Sequence, residues 1–121
     1  MEYPQLYVDF IYYFNVERDF YTCHDVLEEL WLEEGRDPFF QGLLQVAVGF
    51  YHLENENRRG AIKSMTAGLD KLMNSTEAVK MGIHLERLKK DVRRALLHLD
   101  DNIPINIKII DLELERLVLR R

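Results

Sequence analysis

The residues best suited to chemistry lie in the run His24-Asp25-Val26-Leu27-Glu28-Glu29-Leu30-Trp31. Residues four apart on an α-helix stack on one side, so His24 and Glu28 are neighbours and Trp31 follows one turn on. At about 100° per residue, His24 and Trp31 fall inside the apolar stripe of Phe20, Cys23, Leu27 and Leu30, with Glu28 at its edge. An imidazole and a carboxylate facing a core need partners, because an unpaired buried charge is costly. Gln41, Gln45 and His52 occupy a narrow wedge of the next apolar segment and can supply them. Folding the chain into a hairpin about Arg36 sets Trp31 opposite Gln41, Glu28 near Gln45 and His24 opposite Val48. His52 then lies one turn, ~5.4 Å, beyond. The expectation is a polar pocket between two helices, built from His24, Glu28, Gln45 and His52 with Gln41 nearby, and roofed by Trp31.

Such a cluster has two uses. It can be a hydrogen-bond network that fixes the hairpin register, since buried polar groups oppose stability unless they satisfy one another. It can also be a working site. A closed zinc site needs four good ligands, which two imidazoles, one carboxylate and two amides do not provide. An open site with His24, Glu28 and His52 holding a divalent metal, and Gln41 or Gln45 orienting substrate, stays available. A ferritin-like di-iron centre needs paired Glu-x-x-His motifs, and none is present. Cys23 sits among apolar neighbours and points about 100° away from His24, which argues against a thiol–imidazole dyad. His84 and His98 lie off the apolar stripe of their helix and are expected in solvent. The sequence has no Gly-rich phosphate loop, Ser-centred elbow or CxxC pair.

The elements that must position these groups follow from periodicity. Tyr3 to Phe14 and Val16 to Glu34 carry helical stripes, and Gly35-Arg36-Asp37-Pro38 separates the second from the third. The third helix, Pro38 to about Glu56, is apolar nearly all round and should sit centrally. Gly42 and Gly49 fall on one of its stripes, each costing roughly 1 kcal/mol of helix propensity, with close approach of a neighbouring helix as compensation. Asn57 is a cap for a fourth helix carrying Ala61, Ile62, Met65, Leu69 and Leu72. A fifth runs through Leu85, Leu88, Val92 and Leu99. Ile103, Ile105, Ile107 and Ile109 then alternate with Pro104, Asn106 and Lys108, the period of an extended segment. Asp111 can cap a last short helix, Leu112 to Arg120. The fold class is all-α: one bundle of about five helices over 1–102, with a tail over 103–121 belonging to the same domain. That tail needs cover for its isoleucines and partners for its backbone. A groove between helices or a second copy of the chain, in a homodimer through residues 103–110, would serve.

A chain of 121 residues fits one domain, and 47% hydrophobic with 31% charged residues is an ordinary globular balance. The net charge of −5 argues against nucleic acid and anionic membranes as partners. A lone cysteine fits a reducing compartment, and no leader-like stretch opens the chain, so a cytoplasmic location is expected. The run Pro38 to Leu53 is too short and too interrupted for a bilayer span.

His24 to Trp31, then Phe40-Gln41-Gly42-Leu43-Leu44-Gln45-Val46-Ala47, Tyr51-His52, Asn57 and Gly60-Ala61 together resemble the signature of the domain-of-unknown-function 309 family, small helical proteins of bacteria and archaea. The resemblance spans about Phe14 to Leu72. Members with extended tails are also similar around Ile103 to Leu117. The signature's polar positions map onto His24, Glu28, Trp31, Gln41, Gln45 and His52, and Asp25 stands where Glu is common. The resemblance implies a compact helical bundle and no particular activity. Two function classes remain: a non-catalytic binding or self-association module, and a metal-assisted hydrolase or other small enzyme using His24, Glu28 and His52.

Overall fold

The computed structural model describes residues 2–121. Among them are six α-helices: α1 (Gln5–Tyr12), α2 (Phe20–Glu33), α3 (Pro38–Glu54), α4 (Arg58–Leu72), α5 (Leu85–Leu97) and α6 (Leu112–Leu119). Between α4 and α5 lies a hairpin of two short strands, β1 (Val79–Lys80) and β2 (Ile83–His84). The fold is predominantly α-helical, as the periodicity implies. Among the described residues, no helix is long and apolar enough to cross a membrane.

Three caps set the α2–α3–α4 hairpins. The Asp19 carboxylate accepts from Thr22 N (3.0 Å) and starts α2. Asp37 accepts from Phe39 N (2.9 Å), with Pro38 in the first turn of α3, where its missing N–H costs nothing. The Asn57 amide oxygen accepts from Gly60 N (2.9 Å) and starts α4. Gly35 and Arg36 both adopt left-handed backbone (φ 70° and 62°) to turn the chain from α2 into α3.

α3 and α4 share the most extensive helix–helix contact in the molecule, and glycine makes it close. A Cβ on Gly68 would lie 2.8 Å from the Gly42 carbonyl oxygen, and one on Gly49 would lie 2.4 Å from the Met65 side chain. The expected compensation for glycine on α3 is therefore present. The core gathers Tyr7, Phe10, Phe14, Phe20, Leu27, Leu43 and Phe50 from α1 to α3, and Met65, Leu72, Leu88 and Val92 from α4 and α5.

The sequence reading differs from the structure in several places, among them the end of the fifth helix, which stops at Leu97 and leaves Leu99 in a separate 3-10 turn. Nor does α1 end at Phe14 or α2 start at Val16. A wide π-type turn covers Tyr13–Glu17, closed by Arg18 in left-handed conformation (φ 55°). The tail also has a strand to join. His84 N donates to Lys108 O (2.8 Å) and Ile110 N to Gly82 O (2.7 Å), so the segment bridges the short hairpin. Its turn, Met81-Gly82, has positive φ at both residues. Finally, α3 is not covered on all sides, as described below.

The tail lies against its own chain. Ile105 and Ile107 are buried while Pro104, Asn106 and Lys108 are exposed, the period-two pattern in space. Asn15 bonds Ile107 twice, accepting from its N and donating to its O, both 2.8 Å. One guanidinium nitrogen of Arg18 donates to Phe14 O, Ile105 O and Asn106 Oδ1. Burial holds that guanidinium below the usual arginine range, partly offset by Glu54. The irregular turn between α1 and α2 is thus the seat of the strap. α6 returns to α1, where Tyr3 bonds Asp111 and Arg121 bonds Asp9.

Candidate functional site

The signature residues share a face rather than a pocket. On α3, Gly42, Val46 and Gly49 point at α4, while Phe39, Leu43 and Phe50 point into the core. What remains is the stripe Gln41, Gln45, Val48 and His52, and all four are half-buried. At 3.6 residues per turn these four form one row about 17 Å long. α2 flanks it with Tyr21, His24, Glu28 and Trp31. α4 flanks it on the other side with Gly60, Ser64, Ala67 and Lys71, again a single row. The all-round apolar reading of α3 overlooked that two glutamines, a valine and a histidine make a tolerable solvent-facing stripe.

The hairpin register holds. Tyr21, His24, Val48, Tyr51 and His52 line a cleft of about 200 Å³ between α2 and α3, so both imidazoles border one space. The other expected members are elsewhere. His24 lies at the rim with its side chain 41% exposed, its Nδ1 3.2 Å from Asp25 Oδ1 and its Nε2 3.6 Å from Glu28 Oε2. Glu28 is more exposed still, at 53%. Gln45 is drawn away by Lys71, whose Nζ donates to its Oε1 at 2.8 Å. Trp31 does not roof the cleft. Arg36 lies over its ring at 5.5 Å, and its indole N–H is buried without an acceptor. Gln41 stays on the open stripe.

His52 is held by residues that matter in the sequence as a helix start. Because the Asn57 oxygen is committed to Gly60 N, its amide nitrogen faces His52 Nδ1, at 3.4 Å. An amide N–H can only donate, so Nδ1 accepts and the neutral ring carries its proton on Nε2. Gly60 makes room: a Cβ there would lie 2.9 Å from His52 Cγ and 2.6 Å from the Asn57 nitrogen. Tyr21 and Tyr51, with ring centroids 5.8 Å apart, form the cleft's aromatic wall. Spacing pointed to neither tyrosine as part of the site, because Tyr21 lies off the apolar stripe of α2. Its position three residues before His24 is the available signal.

Among the described residues, no group of three His, Cys, Asp or Glu side chains gathers in a way that could hold a metal ion. The His24, Glu28 and His52 set therefore does not converge as a ligand triad. Burial pushes the Cys23 thiol up to about 12, which leaves it a core residue without nucleophilic character. A second cleft of about 200 Å³, bounded by Arg18, Phe20, Glu54 and Pro104, lies beside the strap, where Arg18 is engaged in holding the tail.

Comparison with known proteins places these features. Residues 7–64 match the family model described as Domain of unknown function (DUF309). Over 90 residues the chain is 34% identical to a Bacillus subtilis (strain 168) protein described as "Uncharacterized protein YpuF". That alignment covers 71% of this chain and 52% of the relative, so the chain spans about half the relative's length. His24, Glu28, Trp31, Gln41, Gln45, His52, Asn57 and Gly60 all lie inside the matched segment, so over residues 7–64 the chain is similar to the DUF309 family.

Proposed function

We propose that this chain is a non-catalytic cytoplasmic binding module whose working surface is the α2–α3–α4 face. The observation that supports it is the spread of the six signature side chains. They occupy two parallel rows on a half-exposed face instead of closing around a reacting atom. Catalytic groups must converge within hydrogen-bond reach of one substrate atom, about 3 Å. Recognition surfaces need a central anchor cleft with polar groups around it. The cleft of about 200 Å³ is smaller than the roughly 300–1,000 Å³ of small-molecule sites. It suits one side chain of a partner, with two tyrosines and two imidazoles to grip it.

A photo-crosslinking amino acid at position 48, in the source cells, tests the proposal. Position 93, exposed on α5, is the control. Discrete crosslinked species from 48 and none from 93 are expected. Equal yields from both positions would overturn the reading.

A further inference from the structure

We infer that the partner on this face is a second copy of the chain, related by a two-fold axis parallel to α3. The inference rests on the binding-module reading and adds the identity of the occupant.

The argument is the distribution of charge. The central row, Gln41, Gln45, Val48 and His52, has no Asp, Glu, Lys or Arg. The α2 edge is acidic, with Asp25 and Glu28 both exposed. The α4 edge is net basic, with Lys63 exposed and Lys71 half-buried against one exposed acid, Asp70. Neither lysine has a carboxylate within ion-pair distance among the described residues. Glu28 and Lys71 stand on opposite sides of α3, separated by two helix spacings of ~8–10 Å each, so they cannot meet within one copy.

Their heights along α3 are the same. The cleft pairs Tyr21 with Tyr51 and His24 with Val48, which puts Glu28 level with Gln45, and Lys71 is bonded to Gln45 directly. A two-fold axis lying in the interface and parallel to α3 exchanges left and right while preserving height. It sets Glu28 of each copy against Lys71 of the other, twice. It also sets the uncharged α3 rows against each other, with the exposed Tyr21 rings against the small Gly60–Ser64 side of α4. An axis perpendicular to α3 would instead bring α2 against α2 and the acidic edges together, which like-charge repulsion opposes. The face is therefore self-complementary, as an isologous interface must be.

Light scattering across a concentration series, with circular dichroism to confirm folding, tests this. Wild type should reach twice the 14.4 kDa chain mass at high concentration and fall to the single mass on dilution. Glu28→Lys and Lys71→Glu should each give the single mass, and the double variant should regain the doubled one. Val48→Cys should form a chain-to-chain disulfide on mild oxidation, because residues beside the axis meet their own copies. Cys23 is buried and does not compete. A wild type at 14.4 kDa throughout, or a doubled mass indifferent to both charge reversals, overturns the inference. In the first case, crosslinks from position 48 to a different protein would leave the binding-module reading standing. In the second, an absence of crosslinks from 48 would remove that reading as well.

Discussion

Gly60 and Asn57 are ordinary helix-start residues by sequence, yet their effect is felt at one imidazole. Asn57 spends its oxygen on the α4 backbone and its nitrogen on His52, and the missing Cβ of Gly60 leaves space for the ring. Gly60→Ala should therefore displace His52. Its ring resonances in an NMR spectrum should shift and broaden, while those of His98, at the end of α5, stay in place. Unchanged His52 signals would mean the ring is not held this way. Phe50 shows the opposite case, a residue whose role is purely packing. It is 5% exposed and meets Phe14 and Phe20 at 6.0 and 5.6 Å between ring centroids. Phe50→Ala should cost about 3–5 kcal/mol in urea unfolding, the usual range for emptying an aromatic core position. A loss under ~1 kcal/mol would place Phe50 outside the core.

At the scale of elements, the strap and the last helix depend on a few polar contacts. Asn15 satisfies both backbone groups of Ile107, so Asn15→Ala leaves a donor and an acceptor without partners. The expected loss is about 1–3 kcal/mol, with amide exchange accelerated at Ile107 and unchanged in α3. Uniform acceleration through the chain would show that the strap does not open separately. The Tyr3–Asp111 bond ties the N-terminal segment to the cap of α6. The Tyr3 hydroxyl holds the Asp111 carboxyl below its ordinary 3.8. A group depressed in the folded state supports it above the unfolded value and loses that support as pH falls through the folded one. Burial, then the bond to Asp111, pushes the Tyr3 phenol from 10.0 to about 12. A raised phenol contributes fully below 10.0 and loses its contribution as pH rises towards about 12. Tyr3→Phe should lower Tm near neutral pH. The difference from wild type should shrink below pH 3.8 and above pH 10.0. A pH-independent difference would assign the effect to packing alone.

Helices α3 to α6 were legible because their stripes are long or their caps, Asp37, Asn57 and Asp111, are standard. The wide turn at Tyr13–Glu17 was not, since the contacts that Asn15 and Arg18 make there are to Ile107 and Ile105, 92 and 87 positions away in the chain. The β1–β2 hairpin was not legible either. Two strands of two residues are too short to display a period, and Met81-Gly82 is a weaker turn signal than Asn-Gly.

At the scale of the whole molecule, the hairpin register about Arg36 carried over, and with it the meeting of His24, Val48 and His52. The depth of the site did not. Helical angles place a residue on a side of its helix, but they do not say whether a third element covers that side. α4 packs beside the Gln41–His52 row and not over it, and that is why residues expected to be core pocket members form a surface. Lys71 then captured Gln45, a contact between residues with no local relation in the sequence. The fold thus holds α3 on three sides and leaves the fourth half-exposed, the side that we propose meets a partner.

Carbethoxylation of histidine tests that claim most directly, with rates read by mass spectrometry on the purified chain at low and high concentration and in fresh lysate. His24 and His52 border the α2–α3 cleft, and the exposed His98 at the end of α5 is the internal reference. The account predicts that His24 and His52 react readily in the dilute purified chain and become protected, relative to His98, when the face is occupied. Self-association would protect them in the concentrated purified chain, and another partner in lysate alone. If His24 keeps the same rate relative to His98 under all three conditions, the face is not covered in solution and the account is contradicted.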